Sequence, residues 1–209
     1  MSKRKKDKRI IILIAAAIVL FIIAAFLLMN GGSKKTEVEE VKKVDNIKTK
    51  EIDYTLYNNK SDLYKDYFSE LKEVLLKDKV DDLEYAKVLA KLFVADFYSL
   101  ADKKTNTDVG GLDFIYPDMK ENFILKATDT IYKYVESNVY GDRKQSLPKV
   151  KSVEIKKAEP KPLKYGKLSD GLGYVVTTTI AYEKDLGFPK EVTLYIIHKD
   201  KKLFIVEIK

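Results

Sequence analysis

Asp96, Tyr116 and His198 are the residues of this chain whose types and surroundings could do chemistry. At about 100° per residue on a helix, Asp96 falls between Tyr85 and Leu89 inside an apolar arc, where an ionised carboxylate is costly unless hydrogen-bonded. In a catalytic role Asp96 is a general base within a pocket, and Tyr116 or His198 hydrogen-bonds the substrate. In a structural role it accepts hydrogen bonds from a tyrosine hydroxyl or from loop amides near Gly110 and Gly111. The structural role is favoured, because buried acids commonly tie a loop to a helix and the sequence places no second catalytic group. On the same grounds His198 is a strand-end residue beside a hairpin rather than a base.

Other chemistries lack their residues. His198 is the one histidine and there is no cysteine, so neither a zinc or iron site nor a thiol nucleophile nor a disulfide can form. The stretch with Asn106, Asp108, Gly110 and Asp113 lacks the order and the closing glutamate of a calcium loop and reads as a turn. Gly171 and Gly173 have Val176 where a third phosphate-cradling glycine would stand. A nucleophile elbow is also missing. No cofactor is expected, and no enzymatic activity.

The elements that must position these residues follow from periodicity. Ser61 caps a first helix, to about Asp78, with Leu63, Tyr64, Tyr67, Phe68, Leu71, Val74 and Leu75 on one face. Asp81 or Asp82 caps a second, to about Ala101, whose arc gathers Tyr85, Leu89, Leu92, Phe93 and Phe97. The polar stretch ending at Gly110 and Gly111 reads as a mobile loop. Pro117 opens a third helix, with Phe123, Ile124, Ala127, Ile131 and Tyr134 on its apolar face to about Glu136. The period then changes to two, around Val153 and Ile155 and in "GYVVTTTIAY", which puts Tyr174, Val176, Thr178, Ile180 and Tyr182 on one face. "EVTLYIIH" and "KLFIVEIK" form a hairpin across Lys199, Asp200 and Lys201, while "EPKPLKYGKLSDG" reads as a long stiff loop. Helices first and strands after give an α+β fold, three helices packed on a four-stranded antiparallel sheet.

The N-terminus sets the location. Residues 10–29 are twenty consecutive apolar residues, about 30 Å as a helix, which is one bilayer core. That is too long for the centre of a cleaved signal peptide, and the segment ends without a small-residue cleavage pattern. Lys3, Arg4, Lys5, Lys6, Lys8 and Arg9 precede it against Asp7 alone, which leaves residues 1–9 cytoplasmic and the rest outside. Residues 30–58 read as a charged linker, in which Val38, Val41, Val44 and Ile47 recur every three residues, and residues 59–209 as the extracytoplasmic domain.

Charge narrows the partners. Of 39 basic and 32 acidic groups, six and one lie in residues 1–30, so the remainder carries 33 and 31, a net of +2. The basic balance is thus largely a topology signal. With Arg4, Arg9 and Arg143 as the only arginines, nucleic acid is not an expected partner.

A short cytoplasmic tail, one span, a linker, three helices and a four-stranded sheet, with stretches such as "AKLFVADFYSLAD" and "GYVVTTTIAY", resemble the bitopic assembly component of type IV secretion and conjugation channels. That resemblance implies an exported domain with the nuclear-transport-factor-2-like cone fold. It also implies a non-enzymatic scaffold that oligomerises and touches other membrane proteins. Cone-fold enzymes of the ketosteroid isomerase kind hold an acid in such a pocket, which keeps a small-molecule-binding or enzymatic domain with a pocket near Asp96 as the alternative.

Overall fold

The computed structural model describes residues 40–49 and 52–209. The basic tail 1–9 and the expected span 10–29 lie outside the described residues. Among those described, no helix is long and apolar enough to cross a membrane.

The folded unit, Glu40–Lys209, opens with an antiparallel hairpin, β1 (Lys43–Lys48) and β2 (Asp53–Tyr57). This corrects the linker reading for the residues of the hairpin; residues 30–39 lie outside the described residues. Ile47, Ile52, Tyr54 and Leu56 are all buried in the main core. Charge and a three-residue recurrence of small apolar residues read as a linker, but Tyr54 and Leu56 alternate with polar neighbours at the period of a strand, and pairing supplies what an isolated segment lacks. Lys72 fastens the hairpin from outside through Asp45, at 2.7 Å.

Helix α1 (Asp62–Leu75) starts where Ser61 accepts from the Tyr64 amide, and it buries Tyr64, Tyr67, Phe68, Leu71, Val74 and Leu75, the face expected of it. Helix α2 (Asp82–Phe97) is capped by Asp81, which accepts from the amides of Leu83 and Glu84. It packs on α1 on one side and on the sheet on the other, so it is buried on most of its circumference, with Leu89, Leu92 and Phe93 fully enclosed. It ends at Phe97, before a 3-10 turn over Leu100–Asp102.

The stretch from Lys103 to Gly111 is not a loose loop. Lys103, Val109, Gly110 and Gly111 are buried against the end of α2. Glycine is required here: a Cβ at Gly110 would lie 2.4 Å from the Asp96 carbonyl oxygen, and Gly111 sits at φ 74° with the Phe93 ring 2.5 Å from where its Cβ would stand. A 3-10 turn at Pro117–Met119 leads into α3 (Lys120–Asp129), which stops seven residues short of the expected end. The hydroxyls of Thr128 and Thr130 bond back to carbonyls of the last turn, and Thr130 leaves helical geometry. In consequence Tyr132 enters the core and Tyr134, expected on the apolar face, is exposed.

The sheet is formed by β3 (Val150–Pro160), β6 (Tyr174–Tyr182), β7 (Glu191–Lys199) and β8 (Lys202–Ile208), antiparallel throughout and in the order β3-β6-β7-β8. The segment expected as a stiff loop instead holds a small hairpin, β4 (Leu163–Tyr165) and β5 (Leu168–Asp170), turned at Gly166. Its leucines and Tyr165 cover the face of the sheet opposite the helices, together with Tyr116, Ile197 and Phe204. The turn between β7 and β8 has two residues, with Asp200 at φ 57°.

Both outer strands are blunted. Along β3 the register shifts twice, charged residues alternate with apolar ones, and the Tyr67 hydroxyl donates to the Val153 carbonyl while accepting from its amide. On β8 the Leu203 amide donates to the Tyr85 hydroxyl, the Tyr116 amide donates to the Ile205 carbonyl, and a bulge interrupts pairing at Val206.

Candidate functional site

Helix α2 places Asp96 one residue before its end, facing the Gly110–Gly111 turn on one side and the start of α1 on the other. Its carboxylate meets Lys60 Nζ at 2.7 Å, Lys103 Nζ at 2.7 Å and the Gly111 amide at 2.8 Å. The side chain is 10% exposed and that of Lys103 is 6% exposed. Burial alone would raise the Asp96 pKa, but the charges and hydrogen bonds of Lys103 and Lys60 win and hold it well below the usual carboxylate range. An acid held ionised near neutral pH by two ammonium groups and a backbone amide is a poor proton acceptor.

The surroundings extend this knot. The Tyr132 hydroxyl accepts from the Gly110 amide at 3.1 Å and donates to the Phe97 carbonyl at 2.7 Å. Arg143 donates to the carbonyls of Ala101, Lys103 and Glu136. Asp96 therefore joins α1, α2 and the following turn, and its expected bond to a loop amide is the one from Gly111. The lysines are what sequence reasoning missed, since Lys60 and Lys103 stand 36 and 7 residues away and carry no local signature.

His198 lies at the other end of α2. Its Nδ1 and its backbone amide both meet Asp170 Oδ2, at 2.8 and 2.7 Å, and its Nε2 is 3.6 Å from Asp82. Burial would raise the Asp170 pKa, yet the bonds from His198 and from the Leu172 amide lower it. Asp82 and Asp96 are fourteen residues apart on one helix, about 20 Å along its axis, so His198 and Asp96 cannot act on one substrate atom. Tyr116 belongs to the small cluster on the far face of the sheet, edge-on to Phe204 with ring centres 6.0 Å apart. The three residues singled out by type are not brought together. Among the described residues no group of three or more His, Asp or Glu could hold a metal ion.

A cavity of about 670 Å³ does open beside the end of α2, lined by none of the three. Phe97, Ile115 and Ile205 line it, with Phe123 and Lys126 from α3 and Ile131 from just beyond the end of that helix. Phe97 organises it, stacked on Phe93 at 5.2 Å and tilted against Phe123 at 5.1 Å. The periodicity of α3 marked Phe123, Ala127 and Ile131 as inward-facing but not that they would meet open space.

Comparison of the chain with protein-family models, with curated proteins and with solved structures gives no match. Function has to be read from the geometry.

Proposed function

We propose that this chain is a single-pass membrane protein whose folded unit lies outside the cytoplasm and serves as an interaction module, a scaffold of the kind found in secretion and conjugation channels. In this reading residues 10–29 are the anchor, and the helices over one face of a four-stranded sheet are a nuclear-transport-factor-2-like cone. The cone carries partners rather than turning over a substrate.

The observation that supports it best is the stretch from α3 onward. Among the described residues Leu125, Tyr134, Val139 and Tyr140 are large, apolar and exposed within sixteen positions of chain, Tyr134 and Tyr140 to about three quarters. Tyrosines held in this way offer contact area at little conformational cost, as binding surfaces do. Because both sheet edges are blunted, a partner would dock on side chains here rather than extend the sheet.

The test is photo-crosslinking in intact cells, with a photoreactive residue at Leu125 or at Tyr140 of the full-length protein. The expected result is the same membrane protein captured from both positions, and its loss in Tyr134→Lys. Empty crosslinks at both positions in correctly inserted protein would overturn the reading, as would capture that Tyr134→Lys leaves intact.

A further inference from the structure

The cavity beside α2 has a composition that selects a chemical class. Its interior is aromatic and aliphatic, contributed by Phe97, Ile115, Phe123, Ala127, Ile131 and Ile205. Five residues with polar side chains also line it, Tyr98, Asn122, Lys126, Thr130 and Glu207. Two of these are already used. The Thr130 hydroxyl donates to the Lys126 carbonyl at 2.5 Å, and the Glu207 carboxylate takes the Tyr165 hydroxyl and Lys209.

Of the rest, Tyr98 is buried, while Asn122 and Lys126 stand one turn apart on the same face of α3, both exposed. Among the described residues neither side chain has a hydrogen-bond or ion-pair partner, so the rim presents an ammonium and a carboxamide over an apolar interior. Lys126 is the only cation in the lining. A sugar or nucleotide would find too few polar groups inside, and a neutral hydrocarbon would leave the cation unused. The volume lies within the range of about 300–1,000 Å³ typical of small-molecule sites.

We propose that this cavity binds a single-chain amphiphile with an anionic head group, the chain lying along Phe97, Phe123 and Ile131 and the head held by Lys126 and Asn122. A free fatty acid and a lysophospholipid share this chemistry. The site is separate from the exposed side chains of Leu125, Tyr134 and Tyr140, so either proposal can fail without the other.

The experiment uses the full-length protein in membrane vesicles with three diazirine-bearing probes, palmitic acid, lysophosphatidylglycerol and hexadecanol, and maps adducts by mass spectrometry. The expected result is labelling at residues 97–98, 115, 119–131 or 205–208 by at least one anionic probe, the stronger of the two naming the source. Hexadecanol should label these residues about ten-fold less, and Lys126→Glu should lower anionic labelling by a similar factor, as for loss of a charge-assisted hydrogen bond. Lys126 is exposed, so that substitution leaves the core untouched. The proposal is overturned by adducts confined to other residues, by equal labelling with hexadecanol, or by labelling that survives Lys126→Glu.

Discussion

A carboxylate nine-tenths enclosed between two ammonium groups costs much to desolvate, and it persists because removing either sign leaves the other uncompensated. Asp96→Asn is therefore expected to destabilise the folded unit by about 3–5 kcal/mol, measured by denaturant unfolding at neutral pH. The pH dependence has a definite sign. The folded-state pKa of Asp96 lies below the unfolded value of about 3.9, so the unfolded chain binds the proton first. The stabilisation is complete above about pH 4 and falls away as the pH drops further, and Asp96→Asn should flatten that acid limb. An unchanged limb would remove the cluster from the account of stability. At this scale the sequence exposes an acid where acids are costly, because a helical wheel needs only neighbours. The two lysines stayed hidden because a chain with 39 basic groups offers no reason to single out Lys60 or Lys103. The union of Asp96, Tyr116 and His198 failed for a related reason: residue type says nothing of which end of a helix or which face of a sheet a group will occupy.

Among the elements, those with full periods were legible: α1 with its Ser61 cap, α2 with its Asp81 cap, and the alternating strand β6. The misses fall where a short element depends on a partner remote in sequence or on side chains bonding back to the backbone. Hairpin β1–β2 is held by Tyr54, whose hydroxyl meets that of Tyr85 at 2.7 Å, and by Lys202 Nζ, 3.9 Å above the Tyr54 ring. Removing it strips Ile47, Ile52, Tyr54 and Leu56 from the core, about 6–12 kcal/mol at 1.5–3 kcal/mol for each large apolar side chain. That is comparable with the whole stability of a small domain, about 5–15 kcal/mol. A chain beginning at residue 59 should consequently fail to fold while one beginning at residue 40 retains its structure, as read by circular dichroism and cooperative melting. Equal cooperativity in the two would return residues 43–57 to the status of a linker.

For the molecule as a whole, helices before strands in the sequence were enough to anticipate an α+β unit with an antiparallel sheet, since consecutive strands can pair through short turns and the helices supply the cover. The small hairpin β4–β5 and the cavity were not anticipated, because both arise from how layers close over one another. The tyrosine hydroxyls are the common thread of that closure: Tyr67 serves Val153, Tyr85 serves Leu203 and Tyr132 serves Gly110, each meeting a backbone amide that lies outside regular strand or helix pairing. This arrangement makes the fold sensitive to base. Phenols in water ionise near pH 10, whereas burial pushes Tyr85 and Tyr98 up to about 12. A raised folded-state value means that the unfolded chain loses its protons first, so stability that is complete below about pH 10 drains away as the pH climbs toward 12. In a protein without tryptophan, the share of tyrosinate ultraviolet absorbance that comes from the buried phenols should appear as a delayed, cooperative rise coincident with loss of secondary structure. The same phenols that knit the layers together are thus a colorimetric fuse, silent while the fold is intact and visible once it opens.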